Sequence, residues 1–138
     1  MSTTSLKKIS FSRRRFVYTD SFSDFKDWEK YYFKLKDELE KNSQFQLLAP
    51  DVFIEVDELG PKFRVLIMVL GKPIPGFSYF DQEAGEFFEF SSHLGDYLEK
   101  KSALFEKARA IKSALSQKVG QVYYIVLDEE KLSLHFFK

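Results

Sequence analysis

Apolar residues recur along this chain at two spacings, and the spacing changes where the elements change. From residue 22 to residue 39, Phe22, Phe25, Trp28, Tyr32, Leu35 and Leu39 lie three or four positions apart, which puts them on one face of a helix. Ser21 with Asp24 three positions later has the form of a capping box, with Asp in place of the usual Glu. Asp20, Asp24 and Asp27 sit where the helix macrodipole favours negative charge, and Asn42 is the expected stop. A second stripe runs through Leu94, Leu98, Phe105, Ala108, Ile111, Leu115 and Val119. Ser91 or Ser92 is its expected cap, Gly120 its C-terminal glycine, and Gly95 the place for a bend. The pattern therefore predicts two helices, over about 21–41 and 92–119.

Elsewhere the period is two. Val52, Ile54 and Val56 alternate with Phe53, Glu55 and Asp57, as in a half-buried strand. A turn is expected at Gly60-Pro61. Phe63 to Leu70 is almost continuously apolar, which suits a central strand covered on both faces. Gly71, Pro73, Pro75 and Gly76 then interrupt the chain. The runs 77–80 and 86–90 flank a turn in which Gly85 is expected to supply a positive φ. The runs 122–127 and 132–137 flank Asp128-Glu129-Glu130-Lys131 and form another hairpin. Residues 7–19 alternate loosely and read as a basic arm or an edge strand, and residues 1–6 as a disordered start. The order is (β)-α-β-β-β-β-α-β-β. The fold class is α+β, a mainly antiparallel sheet of about five to seven strands packed by two helices.

With 138 residues and no linker-like stretch, residues 1–138 form one expected domain. In element order alone the chain resembles the small α+β secretion chaperones. That resemblance implies a dimer that binds extended clients, although no motif is shared and a final helix is missing.

Composition narrows the chemistry. The chain has sixteen phenylalanines, two histidines and no cysteine. Disulfides, thiolate nucleophiles and zinc-thiolate sites are excluded. No apolar run approaches the roughly 18 residues that span a bilayer, and no apolar stretch follows the first basic residues as in a secretory signal. A cytoplasmic protein with no membrane association is expected. The net charge is zero, yet Lys7, Lys8, Arg13, Arg14 and Arg15 all precede the first acid, Asp20. No glycine-rich phosphate loop and no nucleophile elbow is present. No cofactor, metal or catalytic residue is indicated, and the chain reads as non-catalytic.

Three groups of residues remain. The basic head, Arg13, Arg14 and Arg15, has the residue types that contact phosphates or an acidic partner; it also suits an edge strand whose charges discourage pairing. Paired carboxylates, Glu55 with Asp57 and the group Asp81, Glu83, Glu86 and Glu89, lack any calcium-loop spacing and read as solubilising. His93, in the first turn of the second helix, and His135, on the last strand, are candidate polar groups of a cavity. Consecutive aromatics are the strongest signal. Tyr79-Phe80, Phe87-Phe88, Tyr123-Tyr124 and Phe136-Phe137 each point to opposite faces of a strand, so both faces of two hairpins are aromatic. One face belongs under the helices. The other needs a cover, and large uncovered apolar faces mark binding sites. The leading expectation is a protein-interaction module, a homodimeric adaptor or chaperone-like protein, using that face. The alternatives are a small-molecule-binding domain or enzyme with a Phe/Tyr-lined cavity between sheet and long helix, and nucleic-acid binding through the basic arm.

Overall fold

The computed structural model describes residues 6–41, 46–47, 51–57, 62–70, 75–93, 101–115, 119–120, 122–128 and 131–138. Its strands are β1 (Lys7–Phe11), β2 (Arg14–Tyr18), β3 (Gln46–Leu47), β4 (Val52–Asp57), β5 (Lys62–Leu70), β6 (Ser78–Gln82), β7 (Gly85–His93), β8 (Val122–Asp128) and β9 (Lys131–Phe137). Helix α1 spans Trp28–Glu40 and helix α2 spans Lys101–Leu115. The class is the α+β fold expected, with more strands. The difference lies at 7–19, which forms two strands rather than one edge strand, and at the short β3. The expected turn at Gly60-Pro61, the breaks at Gly71 and Pro73, the stop at Asn42 and the bend at Gly95 fall outside the described residues, as does the expected disorder of residues 1–5.

All pairings are antiparallel, in the order β1-β7-β9-β8-β4-β5-β2-β6, with β3 alongside β5. β1 stands at one end of this path and β2 next to the other end, yet only Ser12 and Arg13 join them. β6 and β7 are likewise joined only by Glu83 and Ala84. Two such short connections between distant strands force the sheet to curl until its ends nearly meet. The register continues across the junction, from Phe11↔Gly85 to Arg14↔Gln82. Gly85 has no positive φ; Gly76 does, at 98°. A Cβ at Gly85 would just touch the Phe11 ring, at 3.4 Å, so space is left there for a methyl group and little more.

The helices cover the outer face of the curl. On α1, Leu35 and Leu39 are buried against Val17, Ile67 and Val69, and each such side chain contributes about 1.5–3 kcal/mol. The helical path begins later than the capping pattern suggested. Asp24 caps a short 3-10 turn over Phe25–Asp27 by accepting from the Lys26 N–H, and α1 follows from Trp28. Leu104, Ala108, Ile111 and Leu115 of α2 pack on Ile54, Val65, Ile125 and their neighbours. The expected start of this helix is corrected: Ser91, Ser92 and His93 continue β7, paired with Ser133, Leu132 and Lys131. Polar residues that could cap a helix are held extended here by a partner strand. Gly120 has no left-handed φ; its N–H donates to the Phe137 carbonyl at 3.0 Å. β5 is central and buried on both faces, as its sequence predicts.

Candidate functional site

The inner face of the curl is built by alternation. On β2, Phe16 points inward and Val17 outward; on β8, Tyr124 inward and Tyr123 outward. Phe16, Phe53 and Tyr124 are buried and meet edge to face, with centroids 5.2 to 6.3 Å apart. Such contacts add about 0.5–1.5 kcal/mol each beyond their area. From the far side of the closure come Phe11, Phe87 and Phe137, again within 5.7 to 5.8 Å of one another.

Arg14 occupies the centre. Alternation along β2 puts it on the same side as Phe16, away from Arg15. Its guanidinium carbon lies 4.5 Å from the Phe11 centroid, 5.1 Å from Phe16, 5.5 Å from Phe53, and 6.0 Å from both Tyr124 and Phe137. A cation within about 6 Å of a ring face is attracted by its quadrupole. Nε donates to Gln82 Oε1 at 2.7 Å. Nη2 is buried and makes no hydrogen bond. Burial holds the group's pKa down to about 10, partly countered by Tyr124. The same burial pushes the Tyr124 phenol up, with Glu55 adding to the rise.

The surrounding carboxylates are committed elsewhere. Glu55 accepts from Arg64 at 2.7 Å, and Arg64 in turn lies 4.3 Å from the Tyr18 ring centroid. Asp81 accepts from Arg15 at 2.7 Å and from Arg13 at 3.2 Å, the Arg15 bond holding its carboxyl below the ordinary range. Glu86 serves Lys138 and Lys8 at the surface. Glu89 meets His135 Nε2 at 3.0 Å, a contact that lowers the Glu89 pKa. His135 stacks on Phe87 at 4.0 Å; burial pushes its pKa below the usual imidazole value, so the ring is neutral near pH 7. With Nε2–H donating to the carboxylate, Nδ1 is left buried without a partner. Among the described residues no cluster of three or more His, Asp or Glu has the arrangement of a metal site.

Beside Arg14, at the lip where β1 passes into β2, a groove of about 460 Å³ opens to solvent. Phe11, Arg13, Arg14, Arg15, Met68 and Leu70 line it, with Asp81 at the edge. Leu70 is 48% exposed there, one of two large apolar side chains so exposed among the described residues, the other being Phe33 on α1.

The aromatics singled out from the sequence divide. Phe87, Tyr123, Tyr124 and Phe136 are buried, while Tyr79, Phe80, Phe88 and Phe137 are half-buried. Tyr123 and Phe136 stack under α2 at 5.3 Å, whereas Phe80 lies against Phe16 at 6.4 Å on the inner face. The second aromatic face is thus covered by the curl of its own sheet. His135 joins this inner face; His93 lies on β7 opposite Lys131 rather than in a helix. Arg13, Arg14 and Arg15 come together around the groove, but with unequal roles, Arg14 inward and the other two on Asp81. Sequence reasoning missed Gln82 and Glu89 as partners and the singular position of Arg14; the last was available from the period-two pattern of Arg14, Phe16 and Tyr18.

No protein-family model matches the sequence, and no curated protein matches it. Solved structures share the fold. SAV2435, solved bound to tetraphenylphosphonium, superposes with a TM-score of 0.59 at 9% identity, over 96% of this chain and 93% of that one. A Staphylococcus aureus MU50 protein provisionally assigned to bacterial transcription regulation gives 0.56 at 10% identity, over 98% and 99%. At these identities the likeness is one of fold. Among the described residues no helix is long and apolar enough to cross a membrane.

Proposed function

We propose that this protein is a small-molecule-binding domain that takes an aromatic or apolar ligand in the groove at the lip of its curled sheet. The observation that carries the reading is the groove's make-up. It joins exposed Leu70 and half-buried Met68 to the edge of an aromatic interior whose central cation lacks a carboxylate partner. Its volume of about 460 Å³ lies within the roughly 300–1,000 Å³ of ligand sites, and a mainly apolar wall with few placed polar groups is their usual composition. That SAV2435, of the same fold, has been solved with an ion bearing four phenyl rings supports the reading.

An interaction module built on the hairpin aromatics loses its main argument, because Phe87, Tyr123, Tyr124 and Phe136 are covered within the chain.

The test is a titration followed by calorimetry and by methyl NMR, with tetraphenylphosphonium, tetraphenylborate and neutral triphenylmethanol as probes. Saturable one-to-one binding of at least one probe is expected, with the Met68 and Leu70 methyls shifting most. Leu70→Trp, which fills the groove from an exposed position, is expected to weaken that binding at least about tenfold by occupying the space the ligand's apolar body would take. Absence of saturable binding by all three, or shifts confined to the helix face, contradicts the proposal.

A further inference from the structure

We infer that the groove selects organic anions, with Arg14 as the residue that determines this preference. The inference rests on the groove being the ligand seat and adds the charge of the ligand. Three guanidinium groups line the groove against one carboxylate, Asp81. Arg13 and Arg15 share that carboxylate. Arg14 has a neutral partner, Gln82, and a buried Nη2 that bonds to nothing. On the inner face, Glu55 and Glu89 are bonded to Arg64 and His135. An anion entering beside Phe11 therefore meets an uncompensated positive charge at the edge of a low-dielectric interior, where charge–charge attraction is least screened.

A cation meets the opposite situation. The ring faces that would attract it already hold a guanidinium: Phe11, Phe16 and Phe53 lie 4.5 to 5.5 Å from Arg14. A second positive charge in the groove would be repelled by it and would find no free carboxylate on the groove wall, since Asp81 is engaged twice. The apolar part of the site, Phe11, Met68 and Leu70, demands a hydrophobic body. The expected ligand class is a bulky apolar or aromatic molecule carrying a carboxylate, sulfonate or comparable anionic group.

Tetraphenylborate and tetraphenylphosphonium have the same shape and opposite charge, so their affinity ratio isolates this preference. In the unaltered protein at physiological salt, calorimetry should show the borate binding at least about tenfold more tightly, as placement of a charge near an uncompensated opposite one implies. Arg14→Met should bring the ratio below about threefold, and Arg14→Lys should retain most of it, the charge being kept. Arg109→Gln, at an exposed position of α2, removes the same net charge away from the groove and should leave the ratio unchanged. Equal or tighter binding of the phosphonium by the unaltered protein overturns the inference while leaving a ligand seat in place. Loss of the ratio in Arg109→Gln overturns it as well, by assigning the preference to bulk charge. Failure of both ions and of neutral triphenylmethanol to bind overturns the seat and its selectivity together. The comparison in the unaltered protein decides the matter even if a variant at Arg14 does not fold.

Discussion

Replacing Arg14 by Met separates a structural strut from a group retained for binding. The stem is nearly conserved in length, and the charge is removed. Burial lowers the Arg14 pKa to about 10, a fall that corresponds to about 3 kcal/mol lost by holding the charged form inside rather than in water. Against this stand the bond to Gln82 at 2.7 Å, worth about 1.5–3 kcal/mol for a charged donor, and the ring faces led by Phe11 at 4.5 Å, worth about 1–2 kcal/mol. The opposing quantities nearly cancel. Arg14→Met should therefore change the unfolding free energy by no more than about 1.5 kcal/mol in either direction, in line with other replacements of buried charge by apolar groups. Urea denaturation with an unchanged slope is the assay. A loss above about 3 kcal/mol, typical of breaking a buried ion pair, would show that Arg14 holds the sheet closed and would remove the case for a functional cation. The pH dependence has a definite sign. A base whose folded pKa lies below its unfolded one penalises the fold while both states are protonated, so the unaltered protein should gain stability relative to Arg14→Met as pH rises through about 10.

Three further outcomes follow from the same geometry. Phe16→Ala, at a fully buried ring between Phe53, Phe80 and Tyr124, should cost about 3–5 kcal/mol in urea unfolding; a loss under about 1 kcal/mol would mean the inner face is not packed as described. Gly85→Val should cost about 1–3 kcal/mol by overpacking against Phe11, whose ring lies 3.4 Å from the position of a Cβ, whereas Gly85→Ala should be nearly neutral, which thermal melts of the pair will show. His135 has a lowered pKa in the fold, so its contribution is intact above the ordinary imidazole pKa and is lost as pH falls from there to the folded value; Glu89, also lowered, by its bond to His135, is lost as pH falls further through its own folded value. Melting temperature should thus decline in two stages on acidification, and His135→Gln should remove the upper stage and diminish the lower, since the His135 bond is the main cause of the lowered Glu89 pKa.

What the sequence made legible was whatever depends on neighbours in sequence. The spacing of Trp28, Tyr32, Leu35 and Leu39 marked α1, and the apolar run of 63–70 marked the central strand, because period and burial are coupled locally. The aromatic character of both hairpin faces was equally plain. The cover for the second face was not, because it depends on pairing Phe11 with Gly85 and Arg14 with Gln82, contacts some seventy positions apart that no local pattern encodes. The start of α2 failed for a related reason. Ser91 and Ser92 are good caps by type, and only their pairing to Ser133 and Leu132 on β9 makes them strand. The three arginines read as one basic cluster along the chain. In the fold Arg13 lies in the β1–β2 connection, Arg15 points outward from β2 and Arg14 inward, and the inward one changes the account from a solvated edge to a buried cation.

The most direct test of that account is nitrogen-resolved NMR of the Arg14 guanidinium, alone and during titration with tetraphenylborate. With the group stacked over Phe11 and Phe16, its Nε–H and Nη resonances should be displaced upfield by ring currents, exchange slowly with water, and move further as the groove fills. An Arg14 signal at the solvent-exposed position with rapid exchange, or one that stays fixed while the anion binds, would contradict the placement of a functional cation in this interior.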